Sequence, residues 1–98
     1  MLSSTPSPGT VLEKVKETTS YPEARVIVLD DEINTFSHVV KCLCKVLPAM
    51  NEDRALKLAN KIDSEGAAEV WSGPLEQAEL YHQQLGALGL TMAPLERT

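Results

Sequence analysis

The chain has 98 residues, enough for one domain with one modest core. Fourteen acids against nine bases give a net charge of −5, which sets the surface against nucleic-acid phosphates and suits a cationic ligand or a basic partner surface. One Trp, two Tyr and one Phe leave a core that must be mainly aliphatic, and no apolar run approaches the ~20 residues of a bilayer span.

Residues 1–22 are read as an extension preceding the domain, rich in Ser, Thr and Pro, with a mixed-charge patch at Glu13-Lys14-Val15-Lys16-Glu17. Too little of this stretch is apolar to offset its ordering entropy, so a flexible arm is expected. Its start lacks the basic and apolar stretches of a secretory signal. Cys42 and Cys44, two apart on a predicted helix, point about 200° apart and cannot bridge without breaking it. A cytoplasmic setting is expected.

The domain proper runs over 23–98. Arg25 to Leu29 are predicted as a buried strand, with a continuous apolar run at Val26-Ile27-Val28-Leu29, and the chain then meets three acids, Asp30, Asp31 and Glu32. Asn34 and Thr35 supply turn and N-cap residues. A helix from Phe36 to Leu47 carries Phe36, Val39, Val40, Leu43 and Leu47 at spacings of three and four, and Pro48 ends it. Asn51 caps a second helix with the apolar stripe Ala55, Leu58, Ala59 and Ile62, which Gly66 stops. Ala67 to Ser72 reads as a short strand, and Gly73-Pro74 turns the chain into a third helix bearing Leu75, Ala78, Tyr81 and Leu85. Leu90 to Ala93 alternates like a strand, which Pro94 confines to an edge or to its last residues. The order β-α-α-β-α-β predicts an α+β domain, a three-stranded antiparallel sheet packed against helices.

The acids at the first strand's end carry the most chemistry. A charge run is ordinarily a solvated loop, but this one follows a buried strand directly, and neighbouring apolar residues would floor it. Three carboxylates over an apolar hollow suit a ligand with a positive charge beside a hydrophobic group. The glycine and terminal glutamate of a calcium loop are missing, whereas a magnesium site stays open. His38 and Cys42 share a helical face at metal-pair spacing, yet no second pair completes a site, and core packing explains Cys42 better. His82, on the presumed outer side of the third helix, carries no signal. Asp63 sits at the edge of the second helix's stripe, where it opposes the dipole, which tilts it toward function. Nucleophile, base and orienting group cannot be assembled, so catalysis is disfavoured. No cofactor is implied.

The string Val26-Ile-Val-Leu-Asp-Asp-Glu-Ile-Asn-Thr-Phe-Ser-His-Val-Val40 resembles the signature segment of the ClpS family. Glu52 to Ala59, Ser64 to Gly66, Trp71 to Tyr81 and Gly89 to Glu96 support the resemblance, and the wording is closest to the cyanobacterial and plastid branch. Members are adaptors that deliver proteins with destabilising N-terminal residues to Clp AAA+ proteases. The resemblance implies a monomeric adaptor whose partners are a ClpC-like or ClpA-like ATPase and substrate N-termini, Leu or aromatic first. It also implies a plastid stroma as the setting if the source is a plant.

By the same resemblance, Asp30, Asp31 and Asp63 hold the free α-amino group, while Glu32 and Asn34 belong to the loop that meets the ligand backbone. Phe36, Val39, Cys42, Ala59, Ile62 and Thr91 (or Leu90, if the last strand shifts) wall the apolar pocket. Glu76 and Tyr81 stand at ATPase-contact positions, although Tyr81 shares a face with Ala78 and Leu85 and reads better as a core residue. The chain departs from the family pattern at four places: Asp30 for Asn, Glu32 for Asp, Asp63 for His and Ala59 for a bulky Met. Clustered acids should repel and one should hold a proton, so peptide affinity is expected to fall in mild acid. Ala59 leaves room in the pocket, with leucine the first choice of ligand side chain. A small acidic metal-binding domain and a plain protein-interaction module remain the alternatives.

Overall fold

A computed structural model describes residues 21–98; the predicted N-terminal arm lies outside the described residues, apart from Tyr21 and Pro22. Strand β1 (Glu23–Leu29) is followed by helices α1 (Phe36–Val46) and α2 (Glu52–Glu65). Strand β2 (Ala67–Pro74), helix α3 (Leu75–Ala87) and two short strands, β3 (Thr91–Met92) and β4 (Glu96–Arg97), complete the α+β domain.

β1 is the middle of the sheet. β2 pairs with it antiparallel along its whole length, from Glu23 opposite Pro74 to Leu29 opposite Ala67. β3 and β4 share the other edge, β3 opposite Val28 and Leu29, β4 opposite Ala24 and Arg25. The sheet therefore has four strands where three are predicted, because the last strand is broken in two. Pro94, with no N–H to give a ladder, sits in the break, and the amide of Ala93 still reaches the Ile27 carbonyl at 3.0 Å.

Alternation along β1 buries Ala24, Val26 and Val28 almost completely. In β2 the register slips by one residue opposite Val26 and Ile27, which leaves Val70 as the extra residue of a bulge. Ala68 and Val70 are both buried there, while Trp71 turns half outward and sets its ring edge-on to Tyr81, centroids 4.9 Å apart.

The helices close the core. α3 lies on β1 and β2, α2 on β2, and α1 on α2 and α3. Leu43 and Leu85 are the largest fully buried side chains, with Val39, Val40, Ala55, Ala59, Ile62 and Ala78 around them. Their starts and stops follow the sequence signals. The Thr35 side chain accepts from the His38 amide and Asn51 from Arg54, while Gly66 ends α2 in the left-handed region, φ 90°. No helix among the described residues is long and apolar enough to cross a membrane.

Candidate functional site

β1 delivers the chain into the acidic loop, and two hydrogen bonds decide where that loop goes. The amide of Asp30 donates to the Gly66 carbonyl at 2.9 Å, which sets the loop against the C-terminal end of α2, three residues beyond Asp63. The hydroxyl of Thr91, on β3, donates to Asp31 Oδ2 at 2.6 Å. Loop, α2 terminus and β3 meet at one end of the sheet.

The three acids are not equivalent. Asp30 and Glu32 are exposed, as is Asp63 in the last turn of α2. Asp31 is half-buried and accepts from the Ile33 amide at 2.9 Å, the Asn34 amide at 2.7 Å, the Asn34 side chain at 2.6 Å and Thr91. The Asn34 amide, then the Thr91 hydroxyl, the Asn34 side chain and the Ile33 amide hold its carboxyl well below the usual carboxylate range, against a smaller opposing effect of desolvation. The proton expected to settle on the acid cluster therefore does not settle on Asp31, because donors take the place a proton would occupy.

Asn34 also donates to the Gly89 carbonyl at 2.9 Å, and His38 Nε2 lies 2.9 Å from the Leu88 carbonyl. A carbonyl only accepts, so His38 Nε2 carries the proton, and Cys42 Sγ, 3.4 Å away, is at most a weak second acceptor. Gly89 has φ 99°, and a side chain there would stand within 4.0 Å of both Asn34 and His38. His82, expected to carry no signal, is half-buried and fastens the other end of this connection by donating to the Ala93 carbonyl at 2.8 Å.

The apolar residues expected as pocket walls divide. Val39, Cys42, Ala59 and Ile62 are buried in the core, with at most 8% of their surface exposed. Phe36, at the first position of α1, is 40% exposed and, with Ile33 of the loop at 87%, is one of two large apolar side chains exposed there. Thr91 is exposed, its hydroxyl engaged by Asp31. A separate surface cleft of about 170 Å³ is lined by His38, Lys41, Cys42, Lys45 and Leu88, and of the expected wall residues only Cys42 reaches it. Burial raises the Cys42 thiol above its ordinary value despite Lys45 and Lys41 nearby, so the thiol stays protonated. Cys44 is exposed, and both cysteines are free.

Glu76 is exposed in the first turn of α3 and lines a broad cleft of about 640 Å³ with Tyr21, Pro22, Glu23, Pro74 and Leu75. Tyr81 is half-buried against Trp71 instead of lining that cleft. Among the described residues, no three His, Cys, Asp or Glu side chains gather as a metal-ligand set.

The family model "ATP-dependent Clp protease adaptor protein ClpS" matches residues 19–95. The chain belongs to the ClpS family. A ClpS adapter of Synechocystis sp. is 54% identical over 93 residues, 95% of this chain and 93% of the relative. Those of Thermosynechococcus vestitus (60% identical over 76 residues; 78% of this chain, 81% of the relative) and Nostoc sp. (58% over 77 residues; 79% of each) are also similar to this chain. The ClpS resemblance of the Val26–Val40 string, and its cyanobacterial wording, are thereby shown.

The sequence named the residues of the loop but missed two of the hydrogen-bonding roles that organise it. Thr91 as a donor to Asp31 left no local trace. The Asx-type turn at Asp31 did leave one, since an Asp at a strand end commonly bonds the backbone amides that follow it.

Proposed function

We propose that the protein is a non-enzymatic adaptor that captures polypeptide N-termini and hands them to a Clp AAA+ ATPase. The free α-amino group is received by the acidic rim, and the first side chain enters the apolar surface beneath it. Family membership supports adaptor work for a Clp protease, as the names of the relatives state for those proteins. The carrying observation is the Asp30–Gly66 hydrogen bond, which sets an acidic loop against the end of the helix that bears Asp63. An ammonium has three N–H donors, and a carboxylate is the strongest acceptor a side chain offers them.

Phe36 at the surface, with Val39, Ala59 and Ile62 in the core, supplies an apolar receiver that Ala59 leaves roomier than a Met would, and leucine is the first choice of first residue. Glu32 and Asn34 belong to the loop that follows the ligand backbone. Glu76, on the exposed start of α3, is the residue assigned to the ATPase, with Tyr81 in a supporting place. The ATPase is of the ClpC or ClpA kind, and the adaptor works as a cytoplasmic (or stromal) monomer without cofactor.

Fluorescence anisotropy with peptides that differ only at residue one tests the reading. A ranking led by leucine supports it; binding that ignores the first residue removes it.

A further inference from the structure

We infer that Asp31 is a positioning residue and not an ammonium ligand: with Thr91 it latches the rim loop onto β3, and Asp30 and Asp63 are left to receive the amine. The inference rests on the N-terminus-binding reading above and redistributes its roles.

A carboxylate has about four lone-pair sites, and those of Asp31 are matched one to one. Oδ1 takes the amides of Ile33 and Asn34, and Oδ2 takes Asn34 Nδ2 and Thr91 Oγ1, none longer than 2.9 Å. An arriving ammonium would have to evict one of these donors. Among the described residues, neither the Asp30 nor the Asp63 carboxylate accepts a hydrogen bond, and both are exposed.

Packing does not hold the loop in place. Ile33 is 87% exposed, and Asp30 and Glu32 are exposed beside it. Three of the four donors to Asp31 come from within the loop and shape it without fixing it to anything. Thr91, 60 residues away in sequence, supplies the attachment, and Asn34 doubles it through the Gly89 carbonyl. The Asp30–Gly66 hydrogen bond pins the first residue of the rim to the end of α2, and the Thr91 attachment pins the residues that follow to β3, so the course of the rim past Asp30 depends on that attachment.

The two roles predict opposite signs for Thr91→Val, which keeps the shape and removes the donor. If Asp31 bound the amine, losing a competing donor would leave affinity unchanged or raise it. As a positioning residue, Asp31 loses its anchor and affinity falls about three- to tenfold, the worth of one half-exposed charge-assisted hydrogen bond. Thr91→Ser, which keeps the hydroxyl, restores it.

The experiment uses the full chain, a labelled leucine-first peptide with a free amine, its acetylated twin, and amide hydrogen exchange without peptide. Faster exchange at Ile33 and Asn34 in Thr91→Val, weaker binding, and recovery of both in Thr91→Ser is the expected result. Faster exchange with unchanged or tighter binding overturns the positioning role, and unchanged exchange overturns the latch. Equal binding of the two peptides by the natural chain sinks the proposed function instead, and exchange alone then decides the latch.

Discussion

The amide of Asp30 and the carbonyl of Gly66 meet at 2.9 Å, so the residue that stops α2 also receives the acidic loop. Gly66 does both because its φ of 90° turns the chain out of the helix, a conformation that costs other residues about 1 kcal/mol or more. A Cβ at Gly66 would meet nothing within 4 Å, so strain alone governs substitution. Gly66→Ala should lower the stability by about 1 kcal/mol in urea denaturation with an unchanged slope. It should also weaken leucine-first peptides more than that loss of folded protein explains, because the loop's docking point moves. An unchanged midpoint would remove the strain argument.

Gly73 is needed for a different reason. A Cβ there would lie 2.5 Å from the Trp71 ring, closer than real contacts allow. Trp71 is half-buried and can swing away, but only by leaving its edge-on contact with Tyr81. Gly73→Ala should therefore cost about 1–3 kcal/mol, the overpacking range plus the lost aromatic pair. Trp71 is the chain's single tryptophan, so its emission should shift to the red in the folded variant. An unaltered spectrum contradicts the packing drawn here.

Asp31 makes the domain's stability depend on pH. Its folded pKa lies below the unfolded value of 3.8, so it contributes stability above that pH and the contribution is lost as pH falls through the folded value. Asp31→Asn should be less stable than the natural chain at neutral pH, with the difference shrinking only below about pH 4. Mild acid leaves Asp31 ionised, so weakening of peptide binding between pH 5 and 7 cannot be assigned to it. Denaturation series from pH 7 to 2 on both proteins check this, and parallel curves would contradict it.

Ala59 is 3% exposed and belongs to the core as much as to any pocket. Ala59→Met should cost about 1–3 kcal/mol through overpacking, read from denaturation, and should narrow the choice of first residue among peptides. A variant of natural stability with the natural ranking would show that this position faces neither core nor ligand.

Local signals made most of the fold legible: period-two burial in β1, the stripes of α1 and α2, the caps Thr35 and Asn51, and the stop at Gly66. What escaped lay in pairings between distant segments. β4 is two exposed, charged residues with no strand pattern. It pairs with β1 where Arg25 reaches Glu96 at 3.1 Å and Glu69 at 3.6 Å. Gly73 and Pro74 look like a turn but extend β2, because β1 begins three residues earlier than its apolar run and Glu23 and Ala24 need partners. In the site, the sequence placed three acids side by side and gave Asp30 and Asp31 the same work. Their difference arises from Thr91 and Gly66, which only the folded chain brings near.

The central claim is capture of a free amine, and N-terminal acetylation tests it most directly, since it removes the charge while leaving the side chain in place. Anisotropy titration of a labelled leucine-first peptide against its acetylated twin should show binding weakened at least about tenfold by acetylation, the worth of a charge-assisted contact. Equal affinity for the two peptides would contradict the account.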